Sequence, residues 1–202
     1  MRTLFLVISI FCCLFIQAQS DFHDRFIYGT MHGGSNEPLT GYFKFDRSFS
    51  QNGQSVQYKK DLTARKTKRF PSRRYMYFTS DSLYMETFGV LPTITGDILV
   101  MVPRIIDGPI QLFYFPYARP GTVFVPKYEP YHIKTAGFRK RVSQKKFKNE
   151  MSQILGSNAV LLKYIVEDKF SYDDLPVIVH LANSNADQQT IEYALSNKRA
   201  FR

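Results

Sequence analysis

The stretch that decides the fold is RFIYGTMHGGSNEPLTGYFKFD, residues 25–46. Two runs of aromatic and β-branched residues, RFIYGTM and LTGYFKFD, favour strands, and the HGGSNEP between them is typical of a turn. In the second run, Phe43 and Phe45 alternate with Tyr42 and Lys44, which puts the two phenylalanines on one face. The stretch therefore predicts a β-hairpin with one apolar face and one partly solvated face.

The chain up to residue 143 keeps this character: Tyr, Phe, Val and Thr are frequent, and Gly and Pro interrupt the apolar runs. Further short strands are predicted at 55–60, 73–79, 82–88, 97–104, 109–116, 121–126 and 130–135. Many short strands separated by turns indicate an antiparallel roll, barrel or sandwich. Residues 19–143 are therefore predicted to form an antiparallel β roll or barrel-like domain.

After residue 143 the apolar spacing becomes helical, which predicts three short helices over 144–155, over 158–168 and from Ser171 onward. Their apolar stripes are Phe147, Met151, Ile154 and Leu155; Leu161, Leu162 and Ile165; and Leu175, Ile178, Val179 and Ala182. The adjacent acids Asp173 and Asp174 suit the positive N-terminal end of the third helix. The fold class is thus α+β, with a β domain followed by about three helices.

The helical segment is assigned to residues 144–185 and is expected to pack on the β domain, because helices of about three turns need tertiary contacts. Residues 186–202 are mostly polar and are interpreted as a tail, with room for one short helix at 188–196.

The N-terminal residues MRTLFLVISIFCCLFIQAQS have the order of a secretory signal: a basic residue, an apolar run and a small residue at the exit. Residues 1–18 are therefore expected to be a signal peptide, and the protein to be exported to the periplasm or cell surface of a bacterium. Cys12 and Cys13 lie in this segment, so a mature chain without cysteines is expected. No later run is apolar for long enough to predict a transmembrane helix.

Several motifs follow one another along the chain. They are the signal ending in Gln-Ala-Gln, the Tyr-Gly-Thr…Gly-Tyr-Phe hairpin, Asp107-Gly108-Pro109-Ile110-Gln111-Leu112-Phe113-Tyr114, and the C-terminal Phe147…Met151…Ile154-Leu155…Leu162…Ile165…Phe170-x-Tyr172-Asp173-Asp174-Leu175…Ile178-Val179. Together they resemble a loose group of small exported proteins from Bacteroidetes-type bacteria. The resemblance implies a β domain before a short helical segment, and it supplies no activity and no catalytic residues.

No motif of a known catalytic site stands out. The histidines are His23, His32, His132 and His180, and no two have the spacing of a helical metal site. His32 is interpreted as an exposed residue of the hairpin loop without a catalytic task. The sequence contains no nucleophile elbow, P-loop or dinucleotide-binding motif, so we expect no metal, no cofactor and no enzyme. A triad assembled from distant residues stays open.

The charge is unevenly distributed along this basic chain, whose formal net charge is +10. Residues 59–74 contain eight basic side chains and one acid, and residues 134–148 contain seven basic side chains and no acid. Each run is either a solvated loop or an anion-binding surface. The residues predicted to bind an anion are Lys66, Lys68, Arg69, Arg73, Arg74, Arg139, Lys140, Arg141, Lys145 and Lys146.

These patterns favour a non-enzymatic binding protein of the cell envelope that engages an anionic polymer through a basic surface. The first alternative is that the partner is another envelope protein, in which case the chain is a component of a secretion or surface-assembly system. An unrecognised envelope hydrolase is the second alternative. An exported protein rarely meets nucleic acid, so that partner is not expected, and the oligomeric state is left open.

Overall fold

The computed structural model describes residues 22–23, 25–33, 37–50, 53–93, 96–115, 129–156 and 158–197. The strands are β1 (Ile27–His32), β2 (Leu39–Ser50), β3 (Gly53–Lys59), β4 (Lys68–Pro71), β5 (Tyr77–Thr79), β6 (Tyr84–Thr93), β7 (Gly96–Ile106), β8 (Gln111–Tyr114), β9 (Tyr131–Lys134) and β10 (Arg139–Arg141). The helices are α1 (Phe147–Leu155), α2 (Ala159–Val166), α3 (Leu175–Asn183) and α4 (Gln188–Ser196), and 3₁₀ turns lie at Ser72–Arg74 and Tyr172–Asp174.

The ten strands belong to one sheet in the order β10-β9-β8-β7-β6-β5-β1-β2-β3-β4. The pairing is antiparallel, and the sheet is open, with β4 and β10 as the terminal strands among the described residues. The helices follow the strands, so the predicted α+β class is confirmed. The fourth helix, α4, covers Gln188–Ser196, where the sequence allowed one short helix within the predicted polar tail. None of the described helices is long and apolar enough to cross a membrane.

Two strands that the sequence did not predict, β4 and β10, lie inside the two basic runs. The interpretation of these runs as loops was therefore wrong over 68–71 and 139–141. Basic side chains are common on terminal strands, because they discourage pairing with another chain. The predicted strand over 73–79 begins only at Tyr77. The expected strand at 121–126 and the expected signal peptide lie outside the described residues.

The chain divides into two compact units. The first, here called the strand unit, includes Gln17–Arg104 and Tyr114–Pro130. The second, here called the mixed unit, includes Ile105–Phe113 and Tyr131–Arg202. The change from strands to helices falls close to residue 143, as the sequence indicates, but β9 and β10 group with the helices.

The core of the strand unit is an aromatic and methionine cluster on one face of its strands. Its buried members are Phe22, Met31, Phe43, Phe45, Val56, Tyr58, Tyr75, Phe78, Leu83, Met85 and Met101. The Phe78 ring packs edge-on against Phe43 and Phe45, with ring centroids 5.4 and 5.1 Å apart. The predicted alternation of β2 is confirmed, since Phe43 and Phe45 are fully buried while Tyr42 and Lys44 are half-buried.

The strand unit rolls up so that the start of β3 meets β7, although other strands separate them in the sheet order. The fully buried Gln54 donates from Nε2 to the carbonyl of Asp46 at 2.8 Å and accepts the backbone N–H of Met101 at 3.0 Å. Beside it, the Ser72 hydroxyl donates to the carbonyl of Leu99 at 3.1 Å. Side chains therefore hold this seam, where a closed barrel would have a backbone ladder.

The mixed unit has its own core between β8, β9 and the helices. Its buried helical residues include Phe147, Met151, Ile154, Leu155, Leu161, Ile165, Leu175, Ile178 and Val179, as predicted, whereas Leu162 and Ala182 of the predicted stripes are only partly buried against this core. The Asp174 carboxylate accepts hydrogen bonds from the Ser171 backbone at 2.8 Å and hydroxyl at 3.0 Å. Asp174 thus caps the 3₁₀ turn Tyr172–Asp174 that leads into α3, as part of a capping box with Ser171.

Candidate functional site

The sheet face of the strand unit opposite its core, here called the outer face, carries polar and aromatic side chains. Strand alternation and register place them together. They are Arg69 on β4; Gln57 and Lys59 on β3; Thr40, Tyr42 and Lys44 on β2; Tyr28, Thr30 and His32 on β1; Tyr77 and Thr79 on β5; Tyr84 and Glu86 on β6; and Arg104 on β7. The outer face is the candidate site because it joins cations, hydroxyls and aromatic rings in one unit.

The β4 side of the outer face is cationic. Lys44, Gln57 and Arg69 stand opposite one another across β2, β3 and β4, so about two strand spacings, roughly 10 Å, separate the two cations. Lys59 lies beside Tyr42 in register. The nearby Asp46 carboxylate already accepts a hydrogen bond from Gln57 Nε2 at 2.9 Å. Three cations and one engaged acid leave this end positive.

The structure places the predicted residues of the first basic run on and beside β4. The run comprises the exposed side chains of Lys66, Lys68, Arg69, Arg73 and Arg74. Arg69 belongs to the outer face, whereas Lys68 pairs with the core-side residue Tyr58 and points to the other side of the strand. Among the described residues, Lys66, Lys68, Arg69 and Arg73 form no ion pair with a carboxylate. Their charge is therefore directed to solvent.

The second basic run belongs to the mixed unit and is partly neutralised. Its predicted residues are Arg139, Lys140 and Arg141 on β10 and Lys145 and Lys146 before α1. Lys140 lies 3.3 Å from the Glu150 carboxylate, and Lys148 lies 2.8 Å from the Asp168 carboxylate. Acids of the helical half thus pair with cations of this run. The two runs lie in different units, and the first has the more available charge.

A stacked row crosses β1, β5, β6 and β7 on the outer face. The ring centroids of His32 and Tyr77 are 4.6 Å apart with an interplanar angle of 9°, and those of Tyr77 and Tyr84 are 6.0 Å apart. The Arg104 guanidinium lies 4.1 Å from the Tyr84 ring centroid. His32 ends β1, is half-buried, and has Nε2 3.0 Å from the Thr79 hydroxyl. The interpretation of His32 as an exposed loop residue was therefore wrong.

Tyr84, within the stacked row, is fixed by a hydrogen bond to a buried acid. The Tyr84 hydroxyl donates to Oε1 of Glu86 at 2.7 Å, and only 5% of Glu86 is exposed. Burial, together with this hydrogen bond, raises the pKa of the Tyr84 hydroxyl well above its ordinary value. The phenol therefore stays protonated and keeps its donor role at neutral and alkaline pH.

The centre of the outer face is a pair of tyrosines and a pair of threonines on β1 and β2. Tyr28 is 57% exposed, and its ring stands at 61° to that of Tyr42, with centroids 5.2 Å apart. The hydroxyls of Thr30 and Thr40 are 3.0 Å apart. Site prediction from charge alone missed all four residues. The signal was present in the hairpin alternation, which already placed Tyr42 and Lys44 on the solvated face.

The mixed unit contains a separate cleft of about 320 Å³. It is lined by Ile110, Leu155, Asn158, Ala182, Asn185 and Ala186. None of these side chains titrates, so the cleft does not supply the converging acids or histidine that the hydrolase alternative needs. Within the described part of the chain, no group of three His, Cys, Asp or Glu side chains could hold a metal ion.

Comparison of the chain with protein-family models, with curated proteins and with solved structures finds no match. The outer face is therefore interpreted from its own geometry and chemistry.

Proposed function

We propose that this protein is a non-enzymatic binding protein of the bacterial cell envelope that engages an anionic polymer through Arg69 of the outer face and the exposed basic side chains next to it on β4 and on the 3₁₀ turn Ser72–Arg74. The observation that carries the proposal is the exposure of Lys68, Arg69 and Arg73, none of which pairs with a described carboxylate. The envelope location rests on the expected signal peptide.

Electrostatics explains why such a surface suits a polymer. Each exposed cation alone gains little from one counter-charge in water, because solvent and salt screen the attraction. Several cations on one strand and one turn act together on a repeating anion, and arginine adds two-pronged hydrogen bonding to a carboxylate, phosphate or sulfate group. Affinity should therefore depend on the number of charges engaged and fall steeply with salt.

The test measures binding of the purified protein to immobilised dextran sulfate, with uncharged dextran as the reference polymer. We expect binding to dextran sulfate alone, weakened about tenfold or more between low and moderate salt. The double variant Lys68→Glu/Arg69→Glu should lose about tenfold in affinity at low salt. Lys145→Glu/Lys146→Glu changes the net charge equally but in the second run, and it should stay within about threefold of the unmodified protein.

An equal loss in both double variants would show an effect of net charge and contradict the assignment to the first run. Circular dichroism and thermal melting of each variant identify any loss that comes from unfolding. No binding to dextran sulfate at low salt would overturn the proposal. In a parallel assay on envelope extracts, salt-insensitive capture of one protein would favour the assembly component, for which the terminal strands β4 and β10 are the matching feature.

A further inference from the structure

We infer that the polymer bound by the outer face is an acidic polysaccharide, whose carboxylated sugars contact the tyrosines and threonines of β1 and β2 while its charges meet the neighbouring cations. This inference rests on the proposed function and narrows its ligand to one chemical class. A polyphosphate and an acidic polypeptide would satisfy the cations alone.

The first argument is adjacency. Tyr42 stands in register with Tyr28 on β1 and with Lys59 on β3, so the three side chains form one line across the outer face. Lys44 lies two residues further along β2, on the same face as Tyr42. Directly opposed side chains in such pairs are about 5 Å apart at Cβ. A single ligand segment can therefore touch an aromatic ring and a cation at once.

The second argument concerns the rings. Tyr28 is the most exposed aromatic residue of the outer face, at 57%, and its edge-on contact with Tyr42 holds the ring without covering it face to face. The face of a tyrosine ring is electron-rich. A pyranose ring presents a face of C–H groups that carry a slight positive charge, and this face stacks on such rings. An acidic peptide backbone or a phosphate chain offers no equivalent surface.

The third argument concerns hydrogen bonding. The hydroxyls of Thr30 and Thr40 lie 3.0 Å apart, so one donates to the other. A hydroxyl has one donor and two acceptor positions, and the pair therefore keeps one hydrogen and further lone pairs for a ligand. Sugar hydroxyls are themselves donors and acceptors, so they match a surface of this kind. The rings, hydroxyls and cations of the outer face therefore match the C–H face, the hydroxyls and the carboxylate of a carboxylated sugar.

The experiment compares polygalacturonate with poly-L-glutamate of matched charge and length, by titration calorimetry of the full chain at low salt. We expect polygalacturonate to bind more tightly. Tyr28→Ala should weaken polygalacturonate binding about tenfold and leave poly-L-glutamate binding within about twofold. Tyr193→Ala is the matched control, because Tyr193 is similarly exposed, at 52%, but lies on α4 of the mixed unit. It should change neither affinity.

The outcomes separate this inference from the proposed function. Lys44→Gln/Arg69→Gln should weaken both polymers, because it removes charge that either one uses. If both polymers bind equally and Tyr28→Ala changes neither, the polysaccharide inference is overturned while the anion-binding proposal stands. If neither polymer binds, both fail. Tyr28→Phe keeps the ring and should restore most of the affinity that Tyr28→Ala loses.

Discussion

Gly29 and Gly41 face one another across β1 and β2 on the core side of the hairpin. A Cβ atom at Gly41 would lie 2.5 Å from the Tyr58 ring and 2.6 Å from the backbone oxygen of Lys59. The ring could shift, but the oxygen belongs to the backbone of the adjacent strand. Glycine is therefore required here, so that Tyr58 can pack over the chain.

Gly41→Ala should accordingly lower the free energy of unfolding by about 1–3 kcal/mol, the usual cost of forcing extra atoms into a packed site. Urea unfolding monitored by circular dichroism measures the change. Gly137→Ala is the control, because nothing lies within 4 Å of a Cβ at Gly137, and its effect should stay within about 0.5 kcal/mol. Equal effects at the two positions would refute the packing argument.

At this scale the sequence predicted which residues are buried better than it predicted the surroundings of each charged residue. Alternation placed Phe43 and Phe45 in the core, because the period of a strand is local. The pairing of Lys140 with Glu150 depends on how β10 and α1 pack, and the alignment of Arg69 with Lys44 depends on the register of β2, β3 and β4. Local sequence does not encode these tertiary contacts. Ten basic residues were therefore all predicted to bind an anion, although their surroundings in the structure differ.

Among the elements, α4 depends on a charged cap. The Thr190 backbone N–H donates to the Asp187 carboxylate at 2.8 Å, and hydrogen bonds from the Thr190 side chain and backbone lower the pKa of this carboxyl below its usual value of 3.8. The folded pKa thus lies below the unfolded one. The stabilisation is therefore fully present above the unfolded pKa and is lost as the pH falls through the folded pKa.

Asp187→Asn tests this cap, because an asparagine oxygen accepts the same hydrogen bond without titrating in this range. The drop in the free energy of unfolding from about pH 6 to about pH 3 should be smaller in the variant than in the unmodified protein. Urea titrations at the two pH values measure it. An identical drop in both proteins would show that the cap does not contribute to the acid sensitivity.

The terminal strand β4 combines exposed Lys68 and Arg69 with Pro71 at its end. Charged residues and proline at a sheet edge discourage pairing with a second molecule. Lys68→Val/Arg69→Val should therefore promote self-association, seen by light scattering after size-exclusion chromatography. Lys145→Val/Lys146→Val also removes two charges, but from a segment outside any strand, and should stay at the size of the unmodified protein. Association in both would point to lost net charge instead.

Helix prediction succeeded where signals were local, and the helix predicted over 158–168 begins one residue later, at Ala159. Asn158, whose side chain accepts the Leu161 N–H at 3.1 Å, is the N-cap of α2. β4 and β10 were not predicted, because short strands rich in Lys and Arg have low strand propensity and form by pairing with β3 and β9. Tertiary pairing overrides local preference in such elements.

For the whole molecule, the pattern of residues along the chain predicted the α+β class and the order of strands and helices, but not how they group into two units. The acids of the C-terminal half neutralise part of the second basic run inside the mixed unit, as the pairs of Glu150 and Asp168 show. The first run lies in the strand unit and keeps its charge exposed. The positive charge of the second run is therefore partly neutralised within the mixed unit, whereas the positive charge of the first run lies on the surface of the strand unit.

The seam at Gln54 has a kinetic consequence for the strand unit. A backbone ladder opens only when many hydrogen bonds break in sequence, whereas the described residues supply two side-chain hydrogen bonds across this seam, from the Met101 N–H to Gln54 and from the Ser72 hydroxyl to the Leu99 carbonyl. Its opening is then a local event, far less costly than global unfolding. We therefore expect the roll to loosen and reclose while every described strand keeps its neighbour, and the Met101 amide to exchange its proton with solvent faster than the amides between β1 and β2, as hydrogen exchange would measure.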